Sequence, residues 1–418
     1  MELLGKSKEE LRAWCAELGE PAYRGAQIYH ALYAERKFEI ARMTNLPAAL
    51  RERLSKEARI SLPQVKQRFA SSDGSVRYLF GLGEAKEEFN TKRTESTEDA
   101  EKRKGGEKKK NQEKKKAEGK SEHEKSQQAQ KPASVEAVFM PSEGRQTICI
   151  STQAGCAVDC HFCLTAQLGL IRNLTAGEIL GQVLVALREA GEDAMARSGN
   201  KHAGTDAGAT GETKLAPQTN IVMMGQGEPL LNFEPVMAAL RILLDPEGMG
   251  ISPKHVTLST SGIVPGIERL AQEKVRPKLA ISLNASNDGQ REKLMPINKK
   301  YPLSALIDAC KKYPLRPWEH LTFEYVMLGG LNDSPEDARR VVKLLSPLKS
   351  VKVNLIPWNP GELPYHESTQ ESIEEFRQIL VNRGVPAFVR YSRGRDVMAA
   401  CGQLALLQIE SSPLQADR

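Results

Sequence analysis

Three cysteines fall within eight residues: Cys156, Cys160 and Cys163, in the stretch GCAVDCHFC, with no further cysteine until Cys310. Seven cysteines scattered over 418 residues, three of them in a C-x3-C-x2-C run, fit metal binding in a reducing compartment better than a disulfide framework. A closed structural zinc site takes four ligands, and so does an ordinary iron–sulfur cluster. A trio therefore points to a metal centre with one position left open. The alternative is a zinc site closed by His161 or Cys149.

Other chemically unusual stretches recur at regular places downstream. GQGEP (225–229), STSG (259–262), SLN (282–284) and PWNP (357–360) each close a β-prone run. The strands read TICIST, NIVMMG, HVTLST, PKLAISLN, LTFEYVML and VKVNLIPWN, with AFVRYS last. Between them lie amphipathic stretches such as TAGEILGQVLVALREA, EPVMAALRILL, SALIDACKKY, ARRVVKLLSPL and ESIEEFRQILVNRG. Six β/α units of this kind predict an α/β fold with a parallel sheet, open or curved, of the barrel kind, with a partial (β/α)6 TIM-like barrel as the expectation. In such sheets chemistry gathers at the carboxyl ends of the strands, where the cysteines and the glycine-rich stretches fall.

The barrel core is expected over residues 151–404, with a tail at 405–418. Residues 1–62 read as a small helical accessory domain, with Leu11, Trp14, Leu18, Ile28 and Leu32 at helical spacing around the basic, aromatic PAYRGAQIYHALY. Residues 63–150 begin with a hairpin turned at Asp73-Gly74 and resume β character at VEAVFMPSEGRQTICIST. Between them, residues 84–134 hold 15 Lys/Arg and 12 Asp/Glu and almost no apolar side chain. Such a segment buries too little surface to fold alone and is expected to be disordered, with a phosphate-attracting arm as the alternative. A Gly/Ala-rich insertion at about Glu192–Gln218 is expected as a surface loop. No run has the apolar length of a signal peptide or a membrane span, so a soluble, cytoplasmic protein is expected. The net charge of +6 permits nucleic-acid binding without establishing it.

Three thiolates on a four-iron, four-sulfur (4Fe–4S) cluster leave one iron free for the amine and carboxylate of S-adenosylmethionine (SAM). One electron then breaks a carbon–sulfur bond and yields a deoxyadenosyl radical. The cysteine spacing, Phe162 before the last cysteine and the GEP of Gly227–Pro229 resemble the radical SAM superfamily. Longer stretches, among them CISTQAGCAVDCHFCLTAQLG, MMGQGEPLLNF, SLNASND, MPINKKYPL, EYVMLGGLND, NLIPWNP and ACGQL, resemble the RlmN/Cfr family of rRNA adenine methyltransferases. The likeness runs from about Val135 to Leu404 and more weakly over the N-terminal region.

That resemblance implies a radical SAM barrel and assigns roles to matching positions. Cys156, Cys160 and Cys163 would hold the cluster. Gly227, Glu228, Ser259, Ser282, Leu283, Asn284 and Asn359 would line the SAM site, with Asn284 standing where relatives carry histidine. Cys401 would take a methyl group from a first SAM, and a radical made from a second would activate it for addition to adenine. Cys149 would resolve the resulting adduct through a transient disulfide with Cys401, and Glu136 would accept the ring proton. The implied reaction is methylation at C2 of an adenine in the peptidyl-transferase region of 23S rRNA before full ribosome assembly, and of an anticodon-adjacent adenine in tRNA. C8 methylation of the same rRNA adenine is the close alternative. A non-catalytic RNA-binding protein with a structural metal cluster is the alternative of another class. An electron donor such as flavodoxin, no membrane and a monomeric state complete the expectation. Cys15 and Cys310, within amphipathic patterns, read as packing residues. The basic stretches VRYSRGRD and PINKKYP read as an RNA-facing rim.

Overall fold

The computed structural model describes residues 1–83, 133–197 and 218–404, with the backbone alone for 194–197. Ser7 opens helix α1 (Lys8–Glu17) with a capping box, its side chain accepting from Glu10 N while the Glu10 carboxylate accepts from Ser7 N. Leu11 and Cys15, four residues apart, share the buried face of α1. Helix α2 (Tyr23–Tyr33) adds Ile28 and Leu32, and α3 (Ala48–Glu57) adds Leu50 and Leu54. Tyr29 Oη donates to Asp245 at 2.9 Å, which ties these helices to the main body.

Strands β1 (Gln64–Ala70) and β2 (Val76–Leu82) form the hairpin expected around Asp73-Gly74, where Gly74 takes φ 82°. Strand β3 (Ala133–Ser142) lies antiparallel to β2 and then turns into β4 (Arg145–Cys149). The residues that join β2 to β3 lie outside the described residues, and so does the expectation of disorder there. Ala133 and Ser134, expected within that insert, are already strand.

From β4 the sheet continues in parallel through β7 (Thr219–Met223), β8 (Val256–Thr260), β9 (Lys278–Ser282), β10 (Leu321–Met327), β11 (Val351–Pro357) and β12 (Ala387–Val389). A small separate pair, β5 (Gln153–Gly155) and β6 (Leu170–Asn173), brackets the cysteine loop and the short helix α4 (Leu164–Gln167). The crossovers are α5 (Ala176–Arg197), α6 (Phe233–Leu244), α7 (Val264–Gln272), the short α8 (Asp288–Leu294) with α9 (Leu303–Lys312), α10 (Pro335–Leu345) and α11 (Gln370–Asn382). The partial parallel barrel with helical and hairpin additions is therefore the observed fold.

One expectation is corrected here. Residues 192–197 are not loop but the last turns of α5, since REAGEDAMAR carries good helix formers. The rest of that insertion, 198–217, lies outside the described residues. Cys310, 2% exposed on α9, and Cys15, 0% exposed, pack in the core as expected.

Candidate active site

On the concave side of the sheet, alternate residues of each strand point into one cavity of about 160 Å³. Ser259 comes from β8, Ser282 from β9, Glu324 and Val326 from β10, and Ile356 from β11. Cys156, Cys160, Cys163, Gly227, Glu228, Asn284, Asn359 and Cys401 complete its wall. Ten of the thirteen site residues expected from sequence thus share one cavity. Leu283, Cys149 and Glu136 do not line it: Leu283 is 0% exposed within the core, and its backbone N donates to Glu324 O at 2.9 Å.

The turn after β7 requires Gly227, at φ 99°, because a Cβ there would stand 2.7 Å from Gln153 N. This lets Glu228 swing inward. Its carboxylate accepts from Leu230 N (3.1 Å) and from both N and Oγ of Ser261 (2.7 Å each). Burial pushes this carboxyl above its usual range despite those bonds. Below Ser261 lies Arg291, 0% exposed, from α8. Its guanidinium donates to the carbonyls of Ser261 (2.6 Å), Ser282 (3.1 Å) and Leu283 (3.1 Å) and to Asn298 Oδ1 (3.2 Å). One buried cation therefore braces the ends of β8 and β9.

Asn284, at φ 54°, sits in a left-handed conformation that asparagine tolerates. Its Oδ1 accepts from Val326 N at 2.8 Å and its Nδ2 approaches Met295 Sδ at 3.4 Å. Asn284 thus continues the β9–β10 seam one bond past the last ladder pair, which explains how an amide serves at this position.

The three loop thiols are raised by burial, Cys156 to about 12 and Cys160 well above its ordinary value, with repulsion from neighbouring loop thiols adding to the effect on these two. Thiolates so placed need a cationic partner, and Arg291 is the positive charge that acts on Cys160. Among the described residues no three His, Cys, Asp or Glu side chains converge on a point where a single ion would sit. A cluster that takes each thiolate at a separate iron has no such requirement, so the donor set fits a 4Fe–4S cluster. Neither residue considered for closing a zinc site joins the trio. The His161 imidazole stands 3.5 Å from Asp159 and is exposed, and Cys149 packs with Val138, Ala399 and Leu404.

Cys401 faces the open cavity, so it keeps solvent contact although protein surrounds it. Burial pushes its thiol far up, and the nearby Cys149 and Glu324 push it further. Asn359 Nδ2 donates to Cys401 O at 3.2 Å, Leu164 N donates to Gly402 O at 2.8 Å, and Gln403 Nε2 donates to Pro360 O at 2.7 Å. These bonds press the C-terminal segment against the cysteine loop. Cys149, at the end of β4, is 9% exposed and raised by burial to about 12. Both thiols are free.

Glu136, on β3, is 1% exposed and paired with Arg77 Nη1 at 2.7 Å, and Arg77 in turn lies over the Phe69 ring. Gln226 Nε2 approaches both the Glu136 carboxylate (3.4 Å) and Leu404 O (3.5 Å), which places Glu136 beneath the segment that carries Cys401. The sequence reading missed Arg77, Arg291 and Glu324. No local signal in the sequence marks any of the three, since each is set by a partner distant in the chain.

Comparisons with known proteins fit this geometry. The sequence model for the ribosomal RNA large subunit methyltransferase N-terminal domain matches residues 1–60, and that for the radical SAM superfamily matches residues 211–345. A probable dual-specificity RNA methyltransferase RlmN from Koribacter versatilis (strain Ellin345) is 44% identical over 93% of this chain and 96% of its own length. The chain belongs to the RlmN family of radical SAM RNA methyltransferases. A second RlmN relative, from Myxococcus xanthus (strain DK1622), is 41% identical over 93% of this chain and 86% of its own. The crystal structure of a radical SAM methyltransferase from Sphaerobacter thermophilus is similar at a TM-score of 0.75 and 37% identity, covering 97% of this chain and 99% of that one. Membership of the RlmN family makes this an RNA-methylating enzyme and implies use of a 4Fe–4S cluster and SAM. Among the described residues no helix is long and apolar enough to cross a membrane.

Proposed function

We propose that this RlmN-family enzyme methylates C2 of an adenine in the peptidyl-transferase region of 23S rRNA, and of an anticodon-adjacent adenine in tRNA, through a methyl-cysteine relay. The observation that carries the reading is the place of two free thiols: Cys401 lines the three-cysteine cavity, and Cys149 packs against Ala399 and Leu404 of the segment that carries Cys401. The two-substrate part rests on the relatives, which are described as dual-specificity RNA methyltransferases. The enzyme is taken to work in the cytoplasm, as a monomer, with a flavodoxin-like electron donor.

Cys156, Cys160 and Cys163 would hold the cluster, which when bound supplies the electron that breaks a SAM carbon–sulfur bond. Glu228, Gly227, Ser259, Ser282, Asn284, Asn359 and the Leu283 backbone would shape the SAM pocket. Cys401 attacks the methyl carbon of a first SAM as the sulfonium bond breaks, and its thiol proton leaves. Cys401 would hold that methyl group as a thioether and, once a second SAM has supplied a radical that removes one of its hydrogen atoms, would present the methylene carbon to adenine C2. The adduct would return one electron to the oxidised cluster, and Glu136 would accept the C2 proton. Cys149 then attacks the Cys401 sulfur, the S–S bond forms, and the carbon departs with its electron pair and picks up a proton.

For Glu136 to reach a base, the segment of residues 398–404 above it must move aside. The flipped adenine would displace that segment as it enters. Residues 1–62 are proposed as the RNA-binding accessory domain, with Arg24 over the exposed Tyr23 ring as one contact. Anaerobic turnover on unmodified 23S rRNA and tRNA, read by nucleoside mass spectrometry, tests the reading. The expected product is 2-methyladenosine, and 8-methyladenosine would overturn the C2 assignment. Cys149→Ala should accumulate a covalent protein–RNA adduct, whereas Cys401→Ala should give neither adduct nor product.

A further inference from the structure

The first methyl transfer has a requirement that none of the assigned residues meets. An ordinary cysteine thiol is mostly protonated at neutral pH, and only the thiolate attacks a methyl carbon efficiently. Some group must take its proton. Two buried carboxylates line the cavity, Glu228 and Glu324, and a third, Glu136, lies outside it. Both Glu228 oxygens are taken, one by Leu230 N and the other by Ser261 N and Oγ. Glu136 is engaged with Arg77 and does not line the cavity.

Glu324 is different. It is 8% exposed, it projects from the middle of β10 into the same cavity as Cys401, and its charge acts directly on the Cys401 thiol. Its Oε1 accepts from Asn354 Nδ2 at 3.0 Å, and Asn354 is held in turn by Arg390 Nε at 3.3 Å. That chain engages one carboxylate oxygen, Oε1, of a residue that lines the cavity. The charged groups facing it are Lys352 on β11, Arg390 beyond β12 and the Cys401 thiol itself. Burial raises the Glu324 carboxyl, while Asn354, Arg390 and Lys352 hold it back. Asn354 and the two cations favour the charged carboxylate, the form that can accept a proton.

Resting on the relay proposed above, we infer that Glu324 is the general base for methylation of Cys401. As the Cys401 sulfur bonds to the SAM methyl carbon and S-adenosylhomocysteine departs, the Sγ proton passes to Glu324 Oε2, directly or through one water. The neutral carboxyl then releases the proton to solvent before the next cycle. Atoms and charge balance: thiol, sulfonium and carboxylate give thioether, neutral sulfide and carboxylic acid.

The test is a single-turnover assay on purified, cluster-loaded protein with methyl-labelled SAM, reading label on Cys401 by peptide mass spectrometry. SAM affinity and iron content are measured in parallel. Glu324→Gln should keep SAM affinity and iron content while the Cys401 methylation rate falls roughly 10²- to 10⁴-fold, the usual contribution of a positioned base. The residual rate should climb with pH as hydroxide replaces the base. Glu324→Asp should recover part of the loss, a result that a purely structural role does not predict. A native methylation rate in Glu324→Gln would overturn the inference, and so would a loss explained entirely by weaker SAM binding. If the wild-type protein never carries label on Cys401, the relay itself is wrong, a result separable from a failure of Glu324 alone.

Discussion

Replacing Arg77 by Met isolates the worth of the pair beneath the proposed base. Arg77 and Glu136 are 0% and 1% exposed, and their charged atoms stand 2.7 Å apart. Removing one member leaves the other charge buried without its partner, which costs about 3–5 kcal/mol in comparable pairs. The cation over the Phe69 ring at 4.2 Å adds about 0.5–2 kcal/mol to the loss. Arg77→Met is therefore expected to destabilise the fold by about 4 kcal/mol or more, a factor of roughly 10³ in the unfolding equilibrium. Glu136→Gln alone should cost a comparable amount, because it strands the guanidinium. The double variant Arg77→Met/Glu136→Gln removes both charges and should lose well under the sum of the two. Urea unfolding of the four proteins, followed by far-ultraviolet circular dichroism, closes the cycle. Strict additivity, or an Arg77→Met protein within about 1 kcal/mol of wild type, would refute the reasoning that the two charges are held as a desolvated pair.

Other consequences are open to direct measurement. Gly227→Ala places a Cβ 2.5 Å from the Gln153 side chain at a φ of 99°, so SAM affinity by calorimetry should fall at least roughly tenfold with about 1–3 kcal/mol of strain. Arg291→Met removes four bonds from the strand ends, and its thermal unfolding should show a loss of about 3 kcal/mol or more, which Arg291→Lys only partly restores because an ammonium lacks the fork. Asp73 joins the β1–β2 turn to the C-terminal segment through Gly394 N at 3.0 Å and Arg393 at 3.5 Å. Burial alone would raise its carboxyl, but hydrogen bonds from Ser75 and Gly394 outweigh it and bring it from 3.8 down to about 2. Because the folded value is the lower one, Asp73 stabilises fully above about pH 4 and loses that contribution as pH falls toward 2. The stability gap between wild type and Asp73→Asn, under about 1 kcal/mol at this partly exposed site, should shrink over that range.

Much of this fold is legible in the chain because each parallel strand is short, β-branched and followed by a polar or glycine stretch that must end it. VTLST before SG and KLAIS before LN leave little room for another reading. The cavity follows from the same logic, since inward residues at successive strand ends necessarily meet. What was not legible is pairing across distance. Nothing near Glu136 in sequence announces Arg77, which comes to it only because β2 and β3 lie side by side. Arg291 sits in a polar stretch, DGQREKL, that reads as a solvated helix, and its burial arises from three carbonyls at the ends of two strands. Glu324 was hidden in LTFEYVM because a strand buried on both faces shows no alternation by which an inward carboxylate would stand out.

The register of β2 against β3 carries a lesson about how this chain can be rebuilt. Leu82 stands opposite Ala133, so the long charged segment leaves the sheet and returns to it at neighbouring positions of one ladder. Its two ends are already where a short reverse turn would put them. Closing the same gap with about four residues instead would lower the loop-closure entropy cost by about 2 kcal/mol. The paired strand ends thus form a socket, set by the β2–β3 ladder itself, into which a simple turn would fit.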